Sequence, residues 1–130
     1  MSDFIHSLQI SSSGLKAQAA RLRYLTENIA NADTPGFRRK LIPFEAVLAE
    51  GGQVGAVKLG RVTLDRSDLA QIHDPSHPLA DDSGHYQGSN VDLIIELADA
   101  REAQRSYEAN LKMFEQAREM SSGLMDLLRR

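Results

Sequence analysis

The chain has no cysteine and no tryptophan. The missing cysteine excludes disulfides, thiolate metal sites and a cysteine nucleophile, and it fits any compartment. With three tyrosines and four phenylalanines, aromatic residues reach only 5%. A core must therefore be aliphatic, built from Leu, Ile, Val and Ala. Long hydrophobic runs are missing too. The longest strictly apolar run, Ala46-Val47-Leu48-Ala49, is far short of the ~20 residues of a membrane-spanning helix. Met1-Ser2-Asp3-Phe4-Ile5-His6 has neither the basic start nor the apolar stretch of a secretory signal, so export is expected to need no cleaved signal of that kind. Neither charge is in excess: 18 acidic residues face 15 basic ones, for a net charge of −3. That balance argues against a nucleic-acid binder held by counterion release. The length of 130 residues fits one domain, and a charged fraction of 25% is ordinary for a folded chain.

What is present lies mostly at the two ends. Leu8, Leu15, Leu22 and Ile29 recur every seven residues, and Leu25 and Ala32 form a second row three residues behind. Such spacing is a stripe on a helix. Ser11-Ser12-Ser13-Gly14 is a poor helical stretch, where the helix is expected to fray or bend. Pro35 and Gly36 end the pattern, because Pro35 disfavours the α region for Thr34 and glycine suits a turn.

The last 40 residues are patterned more strongly. Leu93, Ala100, Tyr107, Phe114 and Leu128 share one seven-residue row, interrupted by Ser121. Ala103, Asn110, Ala117 and Leu124 form a row three residues behind, and Leu97, Leu111 and Met125 widen the stripe. Asn90 or Asp92 is placed to cap the start, and Asp92 and Glu96 suit the positive end of the helix dipole. Glu108 with Lys112, and Asp126 with Arg130, are spaced as i,i+4 ion pairs.

The middle differs. Gly51, Gly52 and Gly55 break the chain, and Val54, Ala56, Val57, Leu59, Val62 and Leu64 suggest short strands. Pro75, Pro78, Gly84 and Gly88 mark a turn-rich stretch with few large apolar residues. The expected fold is mainly α. Long N- and C-terminal helices pair as a coiled-coil-like helical domain, and an irregular middle segment contains a small β-hairpin. Residues 1–34 and 91–130 would form the discontinuous helical domain, and residues 35–90 an extended loop with a short β segment. A two-helix pair of this length buries little by itself, so neighbouring chains are expected to complete its order.

Chemistry is sparse. His73, His77 and His85 lie near Asp74, Asp81 and Asp82, but Pro75 and Pro78 keep His73 and His77 off a shared helical face. A calcium loop starting at Asp81 would place Tyr86 where glycine is needed. A solvent-facing loop explains these residues better than a metal site. No G-x-S-x-G, Walker A or G-x-G-x-x-G sequence occurs, so no catalytic residues are assigned. Arg38-Arg39-Lys40 reads either as a solvated turn or as a contact for an acidic neighbouring subunit. Asn28, Asn31 and Asn110 sit on or beside helical stripes, where asparagine either fixes register or is simply exposed.

Several motifs carry a resemblance. Asn28-Ile29-Ala30-Asn31-Ala32-Asp33-Thr34-Pro35-Gly36-Phe37 resembles the N-terminal signature of bacterial flagellar rod and hook axial proteins. Asp74-Pro75-Ser76-His77-Pro78-Leu79-Ala80-Asp81 is similar to the P-x-x-P-x-A-D element of that family's proximal-rod branch, and Asn90-Val91-Asp92 follows. Arg105-Ser106-Tyr107-Glu108-Ala109-Asn110 is similar to the R-S/A-Y-x-A-N element of its C-terminal helix. The chain departs from many relatives in lacking an insertion before Arg38, which brings it nearer the FlgB form, and in having His73, His85 and Ser89.

The resemblance implies a structural subunit of the flagellar basal-body rod that assembles helically into a tubular drive shaft between the membrane ring and the distal rod and hook. It implies a periplasmic place, reached through the flagellar type III export apparatus without signal cleavage. The implied partners are copies of itself, the rod proteins FlgB, FlgF and FlgG, the adaptor FliE and the membrane ring. No cofactor, metal, nucleic acid or small-molecule substrate is implied. The motif residues to which it assigns subunit packing are Asn28, Asn31, Asp33, Pro35, Gly36, Asn90, Asp92, Arg105, Tyr107 and Asn110. Leu15, Leu22, Leu25, Ile29, Leu97, Leu111 and Phe114 are the apolar stripe positions expected to meet other helices. The alternatives are a FlgB-type or other rod protein, a small coiled-coil adaptor, or a metal-dependent enzyme using the His/Asp loop.

Overall fold

Two long helices and three short antiparallel strand pairs make up the computed structural model, which describes residues 2–48 and 54–129. Helix α1 spans Ser2–Ala30 and helix α2 spans Leu93–Leu128. Between them lie β1 (Lys40–Leu41), β2 (Phe44–Leu48), β3 (Val54–Leu59), β4 (Thr63–Leu64), β5 (Gln71–His73) and β6 (His85–Gln87). The mainly α expectation holds, and the middle has three strand pairs where one hairpin was expected. The Gly51-Gly52 break lies outside the described residues, as does Arg130 with its pairing to Asp126.

The helices pack antiparallel. Asn28 meets Glu96, Arg21 meets Glu102, Gly14 meets Asn110, and Asp3 and Phe4 lie beside Ala117 and Met120. At 1.5 Å per residue α1 is about 44 Å long and α2 about 54 Å. The last turns of α2 therefore run on past the described start of α1.

The sequence put Leu8, Leu15, Leu22 and Ile29 on one stripe row of α1 and Leu25 on a second. The residues of the first row are half-buried and Leu25 is buried. Among the described residues the fully buried apolar side chains are Ala17, Leu25, Ala103 and Ala117, and the buried polar ones are Ser11, Asn28, Ser89 and Glu96. Small residues let two helix backbones approach closely, which replaces bulky packing with many short dispersion contacts. On α2 the buried row is Glu96, Ala103 and Ala117, the row behind the one that begins at Leu93. Leu93 itself is exposed.

The expected break at Ser11–Gly14 does not occur, because tertiary contacts outweigh weak helix propensity. Ser13 Oγ donates to Ile10 O at 2.7 Å and accepts from the Val57 amide at 3.2 Å, which ties α1 to β3. Gly14 lies against the Asn110 amide, where a Cβ would stand 2.8 Å from Oδ1. The poorest helix formers thus sit where α1 meets both β3 and α2.

The strand pairs are local. β2 pairs with β3 from Phe44↔Leu59 to Leu48↔Val54, with a bulge between Val47 and Leu48. β1 pairs with β4 and β5 with β6. Glu108 and Lys112 form no ion pair; both are exposed on α2.

Candidate functional site

The chain leaves α1 through a turn built by the Asn28–Phe37 motif. Asn31 Nδ2 donates to Glu27 O at 2.9 Å, and Asn31 Oδ1 accepts from Thr34 Oγ1 at 3.1 Å. These bonds satisfy groups at the helix end, whose last carbonyls have no helical partner. Gly36 then turns with φ +75, a conformation that suits glycine. Its amide points at Gln87 O, 3.2 Å, and Gly88 O, 3.1 Å. Ser89 Oγ donates to Ala32 O and accepts from the Val91 amide. The motif after α1 and the segment before α2 therefore close on each other.

Beside this closure lies a polar junction. Asn28 is fully buried. Its Oδ1 accepts from the Lys40 amide at 2.9 Å and its Nδ2 donates to Lys40 O at 3.1 Å, so one side chain holds both polar groups of a β1 residue. Nδ2 also reaches Glu96 Oε2 at 3.4 Å. Glu96, at 0% exposure, accepts from Arg39 Nε at 2.6 Å. Arg39 Nη1 extends to Asp65 Oδ2 at 3.4 Å. Asn90 Oδ1 accepts from the Arg39 amide at 2.7 Å, and Asn90 Nδ2 donates to Asp65 O at 2.9 Å. One network thus fastens the end of α1, β1, the loop after β4 and the start of α2.

The charges are matched. Burial lowers the Arg39 pKa, but hydrogen bonds and charge from Glu96 and Asp65 outweigh it and hold the guanidinium above its ordinary value. Asp65 titrates below the ordinary aspartate range, chiefly because the Ser67 amide and hydroxyl donate to it, with Arg39 adding to the effect. A buried carboxylate stripped of its cation would be costly, so Glu96 needs Arg39.

Among the described residues, two of the three cations in the basic cluster are paired inside the chain, and Arg38 is not. Arg39 serves Glu96 and Asp65, Lys40 pairs with Glu27 at 2.5 Å, and Arg38 Nη1 donates to Ser67 O at 2.9 Å. The sequence reading missed Glu96, Arg39 and Asp65 as a unit. One signal was available: Glu96 falls on the same seven-residue row as Ala103, Asn110 and Ala117.

The other motif residues disperse. Asp92 caps α2, with Oδ1 accepting from the Ile94 amide at 3.1 Å. Asn110 Nδ2 donates to Ser106 O while its amide abuts Gly14. Asp33, Pro35 and Arg105 are exposed, and Tyr107 is half-buried. Of the stripe residues Leu25 is buried, Leu15, Leu22, Ile29, Leu111 and Phe114 are half-buried, and Leu97 is exposed. In the His/Asp loop, His77 stacks on Tyr86 with centroids 3.8 Å apart, and Asp74 and Asp81 accept from Ser76 and Ser83. Among the described residues no three His, Asp or Glu side chains converge as metal ligands.

Much apolar surface stays open. On α2, Ile94 is 80% exposed, Leu127 67% and Leu128 75%, with Leu93, Leu97, Met113 and Met120 also exposed. No helix is long and apolar enough to cross a membrane, among the described residues. Long paired helices carrying so much uncovered apolar side chain belong to the class of subunits that are completed by assembly. The comparisons agree. Residues 8–38 match the family described as "Flagella basal body rod protein", and residues 82–127 match "Flagellar basal body rod FlgEFG protein C-terminal". The chain is 43% identical over 128 residues to the flagellar basal-body rod protein FlgC of Agrobacterium fabrum, covering 93% of this chain and 92% of that one. It is 34% identical to FlgC of Bacillus subtilis, covering 82% and 85%, and 31% identical to FlgC of Salmonella typhimurium, covering 89% and 91%. The chain belongs to the FlgC family of flagellar basal-body rod proteins, structural subunits of the basal-body rod.

Proposed function

We propose that this chain builds the proximal part of the rod by repeating one set of non-closing contacts, which generates a helical tube. Residues 1–34 and 91–130 act as its axial core, with α1 and α2 pairing in a coiled-coil-like way. Residues 35–90 face outward or bridge neighbouring subunits. The observation that supports this reading best is the open apolar surface of α2, led by Ile94 at 80% exposure, on a helix that outruns its partner. Each such side chain is worth about 1.5–3 kcal/mol when another subunit covers it. Contacts of that size, summed over several neighbours, resist torsion.

The partners are copies of this chain, the rod proteins FlgB, FlgF and FlgG, the adaptor FliE and the membrane ring. The place is the periplasmic rod, reached through the type III export apparatus without signal cleavage. Its role is mechanical, with no reaction to catalyse. The test is a strain lacking its own FlgC and expressing this chain: restored swimming, with the chain traced in the proximal rod of a basal-body reconstruction, is the expected result. Absence of the chain from purified basal bodies would overturn it.

A further inference from the structure

One charged groove adjoins the polar junction, to which Arg38 is tied by Nη1 donating to Asp65 O at 3.3 Å and Ser67 O at 2.9 Å. It has a volume of about 870 Å³ and is lined by Arg38, Arg61, Val62, Thr63, Leu64 and Arg66. Arg61 and Arg66 are exposed, and none of the three arginines forms an ion pair among the described residues. Leu64 adds an apolar side chain at 52% exposure. Three guanidinium groups around an open leucine fit a partner that offers carboxylates beside one apolar side chain.

The same chain carries that partner on a different element. The segment between β5 and β6 presents Leu79 at 63% exposure, with Asp81 and Asp82 exposed two and three residues on. Its shape is fixed in advance. Asp74 Oδ1 accepts from Ser76 Oγ at 2.6 Å, Asp81 Oδ1 accepts from Ser83 Oγ at 2.6 Å, and His77 stacks on Tyr86. A segment already ordered loses little entropy on docking. Among the described residues Asp82 takes part in no side-chain hydrogen bond or ion pair.

We propose that the Arg38/Arg61/Arg66 groove receives the Leu79–Asp82 loop of a second copy of this chain, with Asp82 on the arginines and Leu79 against Leu64. Donor and acceptor are different surfaces, so the contact is heterologous and continues from copy to copy. This rests on the reading of the chain as a repeated rod subunit, and it names one of the contacts that repeat.

The absence of cysteine makes the test direct. Leu64→Cys and Leu79→Cys are introduced together, basal bodies are purified and oxidised, and the chain is resolved without reductant. A ladder of disulfide-linked multimers, absent from either single variant, is the expected result. Incorporation into basal bodies without a ladder overturns the contact while the rod reading stands; absence from basal bodies overturns the rod reading itself. In parallel, Arg66→Asp is expected to lower the swimming fraction at least tenfold, and adding Asp82→Arg to restore it. Normal swimming of the single variant, or no rescue by the second charge, overturns the contact.

Discussion

Gly14 of α1 and Asn110 of α2 lie so close that a Cβ on Gly14 would stand 2.8 Å from Asn110 Oδ1 and 2.9 Å from its Cγ. The asparagine is held in place by its own bond to Ser106 O at 3.0 Å. It therefore acts as a wall that only a glycine can approach. Gly14→Leu is expected to cost about 1–3 kcal/mol by overpacking. Gly14→Ala should cost less, because about 1 kcal/mol of helix propensity offsets the clash. Gly14→Ala combined with Asn110→Ala should be more stable than either single variant. Urea denaturation followed by circular dichroism checks the order, and additive single and double effects would contradict it.

Arg39 and Glu96 form the second tight relationship. Removing Arg39 leaves a carboxylate at 0% exposure with Asn28 as its remaining side-chain donor. Arg39→Met is expected to cost about 3–5 kcal/mol. Arg39→Met with Glu96→Leu should cost much less, since no buried charge remains. A double-mutant cycle in denaturant reads the coupling directly; a loss in the double variant equal to the sum of the two single losses would show that the ion pair does no coupling.

These two places also show what the sequence made legible. The Asn28–Phe37 and Asn90–Asp92 motifs marked the joint between helices and middle, and of the two cap positions the sequence offered, Asn90 and Asp92, it is Asp92 that caps α2. The seven-residue period marked both helices, and its second rows hold the buried Leu25, Ala103 and Ala117. It gave no sign that Ala17 is buried too, or that Gly14 lies against Asn110, because small side chains carry a weak hydropathy signal. Arg39, Asp65 and Glu96 are far apart in sequence and each reads alone as a surface charge. Only the fold brings them together.

Acid should loosen the middle segment before the helices. Asp65, Asp74 and Asp81 all titrate below their ordinary value, with Ser67, Ser76 and Ser83 as the first cause in each case. A carboxylate with a depressed folded pKa stabilises the fold above its unfolded pKa of about 4, and that contribution is lost as pH falls through the folded value. Amide protection at residues 65–89, taken against intrinsic exchange at each pH, is expected to fall below pH 4 while helical ellipticity persists. Uniform loss of helix and loop protection at one pH would refute it.

Folding and assembly should separate at Ile94. Its side chain is 80% exposed in the single chain, so Ile94→Asp removes almost nothing from the monomer. It also lies in the first turn of α2, where an added carboxylate faces the positive end of the helix dipole. Monomer stability should therefore change by no more than about 0.5 kcal/mol. In a rod, the same aspartate would be buried in an apolar contact, at a cost of several kcal/mol per subunit. The expected outcome is a chain that is made, folds normally and is exported, yet gives no rods and no swimming. Leu22→Asp, at a half-buried position on α1, should instead lose both monomer stability and assembly. Normal motility of Ile94→Asp would mean that this end of α2 stays uncovered in the rod.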